Sequence, residues 1–160
     1  MEQSYFLAAS DTYKDTLYRI ALNYFGNRQD AEDTVQEVLM KLYMTQKIFE
    51  SDEHLRNWLI RVTINNCKNT LRMPWRNKRI ALSEISATTT FEHRDQSRLF
   101  LSVMKLPEKY RTVLYFFYYE DFSVKEIAQL LRLKETAVTT RLSRARNRLK
   151  VNFAEASNDE

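Results

Sequence analysis

Ser123-Val124-Lys125-Glu126-Ile127-Ala128-Gln129-Leu130-Leu131-Arg132-Leu133, continued by the run from Lys134 to Lys150, is the stretch from which the rest of the chain is read. The Ser123 hydroxyl can cap free backbone N–H groups, and Glu126 follows three positions later, ahead of apolar Ile127, Leu130 and Leu131. That is a capping box before an amphipathic helix. After Leu133 the apolar pattern restarts. At about 100° per residue, Val138, Leu142, Ala145 and Leu149 fall on one narrow stripe, the predicted core face of a second helix. The opposite face then carries Thr136, Thr140, Ser143 and Asn147. Thr139, Arg144 and Lys150 flank them, and Arg141, Arg146 and Arg148 lie nearer the edges. Short hydrogen-bonding side chains with cations beside them divide base reading from phosphate contact, as a helix lying in a DNA groove requires. A helix dipole favours cations at a C-terminus, but five cations without one acid between Arg141 and Lys150 exceed what a dipole needs. The compact helix, turn, helix spacing upstream is independent support. The turn Leu131-Arg132-Leu133 has no glycine: either Arg132 takes a left-handed conformation at a cost of about 1–2 kcal/mol, or the turn has another shape.

The chain has 160 residues, 44% of them apolar, which is enough for one domain or two small ones. Its 25 basic and 21 acidic residues divide as 12 and 11 up to Ile85 and 13 and 10 from Ser86 onward, so the net charge of +4 is concentrated locally. Acidic groups that meet a protein and basic groups that meet nucleic acid would give that pattern. Cys67 is the single cysteine and reads as a small apolar helix residue. With only His54 and His93 there is no cluster at metal-ligand spacing, and neither metal nor cofactor is expected. No apolar run reaches the ~20 residues of a membrane helix, and no secretion signal opens the chain. A soluble, cytoplasmic protein without direct membrane insertion is expected. Gly26 is the only glycine, and neither strand alternation nor hairpin dipeptides occur. The fold class is therefore all-α.

Tyr13, Leu17, Ile20, Ala21 and Tyr24 predict a helix from about Asp11 to Phe25, stopped at Gly26-Asn27. A second helix is predicted from about Asn27–Asp30 to Gln46, with Val35, Val38, Leu39 and Leu42 inward. Asp33, Gln36, Glu37, Met40 and Met44 project together on its outer face. Solvent gives no reason for methionines among carboxylates, whereas a partner with basic and apolar features does; a covering helix of the same domain is the alternative. A third helix, about His54 to Leu71, sets Trp58, Leu59 and Val62 on one flank and Ile60, Ile64, Cys67 and Leu71 on another. Between them runs Arg61, Asn65, Lys68 and Arg72, with Asn69 beside it. This acid-free strip suits a nucleic-acid backbone, against the plainer reading of an ordinary solvent face. Periodicity fails from about Met73 to Phe91, where Pro74 breaks the helix and Ser and Thr accumulate, a flexible interdomain linker. Helical spacing resumes near Arg94 with Leu99, Phe100, Val103, Met104 and Leu106, and the aromatics at 115–119 are expected to form a small core.

These residues together resemble the extracytoplasmic-function (ECF) group of the bacterial sigma-70 family of RNA polymerase sigma factors, over nearly the whole chain. Asp30-Ala31-Glu32-Asp33-Thr34-Val35-Gln36-Glu37-Val38 is similar to the family's polymerase-clamp-binding helix. Asn57-Trp58-Leu59-Ile60-Arg61-Val62 to Asn65 is similar to its promoter-melting helix, and Leu106 to Lys150 to its upstream-element-binding domain. The resemblance implies two small helical domains joined by a flexible linker: sigma region 2 at 1–73, the linker at 74–93, sigma region 4 with its helix-turn-helix at 94–155, and a tail at 156–160. It implies an alternative sigma factor that binds core RNA polymerase through Asp33, Gln36, Glu37 and Met40. Promoter DNA would be met at the minus-10 element by Trp58, Arg61, Asn65, Lys68, Asn69 and Arg72, after a base-capturing loop at about Phe49 to Leu55. At the minus-35 element the resemblance implies Thr136, Thr139, Thr140, Arg141, Ser143, Arg144, Asn147 and Arg148.

The chain departs from the family pattern at Arg132, usually glycine; Lys134, usually a serine-like cap; Thr136, usually glycine or small; Ile64, usually basic; and Asn69, usually acidic. Positions 64 and 69 are expected to face nucleic acid. An anti-sigma factor is the expected regulator, in place of the long acidic N-terminal region of larger sigma factors. The competing reading is a stand-alone helix-turn-helix transcriptional regulator with no polymerase surface. An enzyme is not expected, because no catalytic carboxylate cluster, phosphate loop or His-paired nucleophile is present.

Overall fold

Asn27 and Ser51 set where two helices of the N-terminal half begin. Each has extended backbone angles and a side-chain oxygen that accepts the N–H of the third residue on, Asp30 and His54 respectively. In the computed structural model, which describes residues 1–73 and 94–158, the chain divides into two units, Met1–Arg79 and Ile80–Glu160. The linker expected at 74–93 lies outside the described residues.

The first unit holds α1 (Gln3–Phe25), α2 (Arg28–Met44) and α3 (Asp52–Leu71). Gly26 ends α1 at φ 73°, a conformation open to glycine without a Cβ penalty, and its N–H returns to the Leu22 carbonyl. Asn27 then starts α2 at once. Its amide also donates to Asp30 Oδ2 at 2.7 Å, fixing an acid in the first turn, where the helix dipole favours it. Leu17, Ile20, Ala21 and Tyr24 of α1 meet Ala31, Val38 and Leu42 of α2 and Leu55, Leu59, Ile60, Ile64 and Cys67 of α3 in one apolar core. Each such large side chain, fully buried, contributes roughly 1.5–3 kcal/mol. The sequence places the start of α1 near Asp11; the helix in fact begins eight residues earlier, at Gln3, and buries Ala9.

The second unit holds α4 (Arg94–Met104), α5 (Glu108–Leu114), a π-helical turn (Tyr115–Tyr119), α6 (Val124–Leu131) and α7 (Glu135–Asn158). Arg111 ties the start of this run together by donating from Nη1 to the Met104 carbonyl at 3.1 Å. The aromatics at 115–119 divide. Phe116 is fully buried and stacks on Phe122 with centroids 5.5 Å apart, while Tyr118 and Tyr119 are exposed, so the expected aromatic core is only partly made from this run. The turn has π geometry, with the Glu120 N–H bonded to the Tyr115 carbonyl, and within it Tyr115 meets Phe116 and Phe117 meets Tyr118 edge-on.

The capping box is complete. Ser123 accepts from the Glu126 N–H at 3.1 Å and Glu126 Oε1 accepts from the Ser123 N–H at 3.2 Å. Arg132 does take the left-handed conformation, φ 56° and ψ 48°. Its N–H and that of Leu133 both reach the Ala128 carbonyl, a Schellman-type end that satisfies a terminal acceptor of α6. This turn aims α7, whose Val138, Leu142 and Ala145 are buried as their stripe predicts; Leu149 is half-buried. Among the described residues no helix is long and apolar enough to cross a membrane.

Candidate nucleic-acid interface

In the second unit, burial of Val138, Leu142 and Ala145 leaves the far side of α7 in solvent. Thr136, Thr139, Thr140, Ser143, Arg144 and Asn147 are all exposed. Thr136, Thr140, Ser143, Arg144 and Asn147 lie within about 60° of one direction around the axis, so one helix face presents hydroxyls, an amide and a guanidinium together. Arg141 is half-buried at one edge and Arg148 exposed near it. Thr139 directs its hydroxyl to the Glu135 carbonyl at 3.0 Å, which uses its donor and leaves its oxygen as an acceptor. Lys134 precedes this helix with its carbonyl accepting the Val138 N–H. An ammonium has no acceptor, so Lys134 offers no side-chain cap to the first amides.

Arg146 differs from its neighbours. Its Nε donates to Tyr118 Oη at 2.6 Å, and its guanidinium sits 5.6 Å from the Phe117 ring centroid and 5.5 Å from that of Tyr118. A cation held this way locks α7 to the aromatic turn. Sequence spacing alone gives no sign of it, since the partners are 28 residues apart.

In the first unit, α3 brings Trp58, Arg61, Asn65, Lys68, Asn69 and Arg72 onto one side. Arg61, Asn65, Asn69 and Arg72 are exposed, while Trp58 and Lys68 are half-buried. Ile64 corrects an expectation: it is 2% exposed and packs in the core, because its position falls on the flank that α3 turns inward. It cannot face nucleic acid, whereas Asn69 is exposed.

The segment before α3 is held by aromatic contacts. Phe49 meets His54 edge-on at 5.4 Å and Trp58 at 5.3 Å, and His54 Nδ1 accepts the Glu50 N–H at 3.2 Å while its own N–H reaches Ser51. This resembles a capping box, with a histidine in place of Glu or Gln and its bond made to the N–H of Glu50, one residue before the cap Ser51. Tyr13 reaches the same segment, its hydroxyl donating to the Asp52 carbonyl at 3.3 Å. Burial first, and then the Asp52 carboxylate, push the Tyr13 phenol above its ordinary value.

The outer face of α2 is open. Asp33, Gln36 and Glu37 are exposed, as are Met40 at 64% and Met44 at 73%, so no helix of this unit covers the methionines. Glu37 Oε2 accepts from Asn66 Nδ2 at 2.7 Å. This bond fixes the carboxylate against α3, and Asn66 is a residue that sequence reading did not single out. Exposed Tyr43 extends the apolar part, its ring 5.2 Å from Phe6 of α1.

A family model described as Sigma-70 region 2 matches residues 10–77, and one described as Sigma-70, region 4 matches residues 98–149. The ECF RNA polymerase sigma factor SigW of Bacillus subtilis (strain 168) is 28% identical over 166 residues, covering 93% of this chain and 89% of the relative. RNA polymerase sigma factor SigV of the same strain is 27% identical over 139 residues, covering 83% and 81%. Two solved structures share the fold. The sigma factor RpoE in complex with the anti-sigma factor NepR from Bartonella quintana superposes with a TM-score of 0.73 at 22% identity, covering 93% of this chain and 96% of that one. CnrH in complex with the cytosolic domain of CnrY gives 0.70 at 23% identity, covering 99% and 92%.

Proposed function

The chain belongs to the ECF group of the sigma-70 family and is an alternative RNA polymerase sigma factor, and from that premise we propose how its surfaces divide the work. Asp33, Gln36, Glu37 and Met40 on α2 bind core polymerase. The α3 face of Trp58, Arg61, Asn65, Lys68, Asn69 and Arg72 engages the minus-10 element. The α7 face of Thr136, Thr139, Thr140, Arg141, Ser143, Arg144, Asn147 and Arg148 lies in the major groove at the minus-35 element. The observation that carries this reading is the uncovered ridge on α2, acidic residues beside methionines more than half exposed. A stand-alone helix-turn-helix regulator needs no such ridge.

Promoter opening requires bases to leave the stack, at a cost of a few kcal/mol per base that must be met by a pocket and backbone contacts. On α3, the half-buried Trp58 ring braced by Phe49 offers an aromatic wall, and the cations and amides beside it offer the strand contacts. The protein thus selects and melts the promoter without catalysing a reaction itself; polymerase makes the RNA. It works in the cytoplasm, where polymerase and promoters are. An anti-sigma factor is its regulator, a reading supported by the two fold relatives captured in complex with such partners.

The test is charge reversal on the ridge. Glu37→Lys breaks the Asn66 bond and places a cation among carboxylates, so binding to core polymerase should fall at least tenfold while the helical circular dichroism signal is retained. Unchanged binding would favour the regulator.

A further inference from the structure

Beside the base-facing row of α7, cations from two helices gather on one buried phenol. The ring of Tyr110, 3% exposed, has Lys109 Nζ 5.1 Å and Arg148 Cζ 4.9 Å from its centroid, both inside the roughly 6 Å range of cation–π attraction. Burial pushes the Tyr110 phenol up, but the neighbouring cations Lys109, Arg144 and Arg148 outweigh it and bring the group below its ordinary value. Next to this assembly, Lys105 shares with Asn147, Arg148 and Asn152 the lining of an open groove of about 310 Å³.

Lys105, Lys109, Arg144 and Arg148 are all exposed. The acid adjoining them in sequence, Glu108, is half-buried and accepts from Thr112 Oγ1 at 3.3 Å. Like charges assembled in this way repel, and a polyanion relieves the repulsion. The groove is continuous with the base-facing row, because Asn147 belongs to both. The polyanion that this continuity selects is the duplex whose bases α7 reads, and its strand edge is the part that presents phosphates.

We propose that Lys105 and Lys109, which precede the helix-turn-helix, join Arg148 at the edge of α7 in a phosphate clamp, Lys109 and Arg148 seated on Tyr110, that grips the backbone strand bordering the groove entered by α7. The clamp rests on the reading that α7 lies on promoter DNA. It adds Lys105 and Lys109 to the DNA contacts.

The experiment uses holoenzyme reconstituted from core polymerase and the full chain, with a promoter fragment chosen by mapping the transcripts that this holoenzyme makes. Affinity is measured against salt concentration, with and without a scrambled minus-35 element. Replacing Lys105 and Lys109 together by Ala should flatten the logarithmic salt slope by about 1.8, some 0.9 for each phosphate released, and leave discrimination against the scrambled element unchanged. Lys14→Ala, on an exposed face of α1, should leave the slope as it is. Arg144→Ala separates the two levels of inference. If it flattens the slope by about one charge and the paired lysine variant does not, the clamp alone is refuted. If neither changes the slope, the placement of α7 on DNA fails as well. An equal effect from Lys14→Ala would also overturn the clamp, by showing a response to net charge alone.

Discussion

Replacing Arg132 with glycine should stabilise the second unit. Arg132 sits at φ 56° and ψ 48° with its side chain exposed, so nothing packed is lost when the side chain is removed. The Cβ clash in that conformation costs roughly 1–2 kcal/mol. Glycine relieves it but loses about 0.5–1 kcal/mol more chain entropy on folding. At the midpoints of these ranges the net gain is about 0.75 kcal/mol, worth about 3–6 °C in a domain of this size. Native-state hydrogen exchange at Ile127, Val138 and Leu142 reads the second unit separately from the first. Protection should rise about two- to fivefold in Arg132→Gly and not at all in Arg132→Ala, which keeps the Cβ. Equal protection in both variants, or a fall in the glycine variant, would refute the claim that this turn holds strain.

Trp58→Ala should cost about 1–2 kcal/mol rather than the 3–5 of a fully buried ring, because Trp58 is half-buried with an edge-on contact to Phe49. Permanganate footprinting should then show closed complexes that fail to open in a protein that remains folded; normal opening would remove Trp58 from the melting surface. The tyrosines should titrate in a set order followed by NMR of ring-labelled protein, Tyr110 ionising early and Tyr13 late. Since the folded-state value of Tyr110 lies below its unfolded one, this group adds stability as pH rises from its folded-state value towards about 10. Tyr13 has the opposite sign and removes stability as pH rises past about 10. Tyr13 ionising before Tyr110 would contradict both assignments.

Local chemistry made much of the fold readable. Ser123 with Glu126, Gly26 followed by Asn27, and the stripe Val138, Leu142, Ala145 each specify a boundary or a face by themselves, and the structure has them as read. The α2 ridge was legible for a related reason: carboxylates and methionines sharing one helical face are a pattern of spacing alone. What escaped depends on partners distant in sequence. The start of α1 at Gln3 escaped because Tyr5 and Leu7 stay exposed and break the stripe. Ile64 was assigned two incompatible places, an apolar flank by periodicity and a nucleic-acid face by family position; the packing of α1 and α2 on α3 decides for the flank. The bonds of Asn66 to Glu37 and of Arg146 to Tyr118 span 29 and 28 residues. Asp121, at φ 55°, is a second left-handed residue in a stretch with no glycine to announce it, although Asp tolerates this region better than most.

The most direct measurement mixes the purified chain with core polymerase lacking any other specificity subunit, adds genomic DNA fragments and sequences the RNA produced. A sigma factor of this design should yield transcripts with discrete start sites that share two upstream elements, and Glu37→Lys should abolish them. Transcripts starting at random, with no complex formed between the chain and the core enzyme, would contradict the assignment of α2 to polymerase and of α3 and α7 to the promoter.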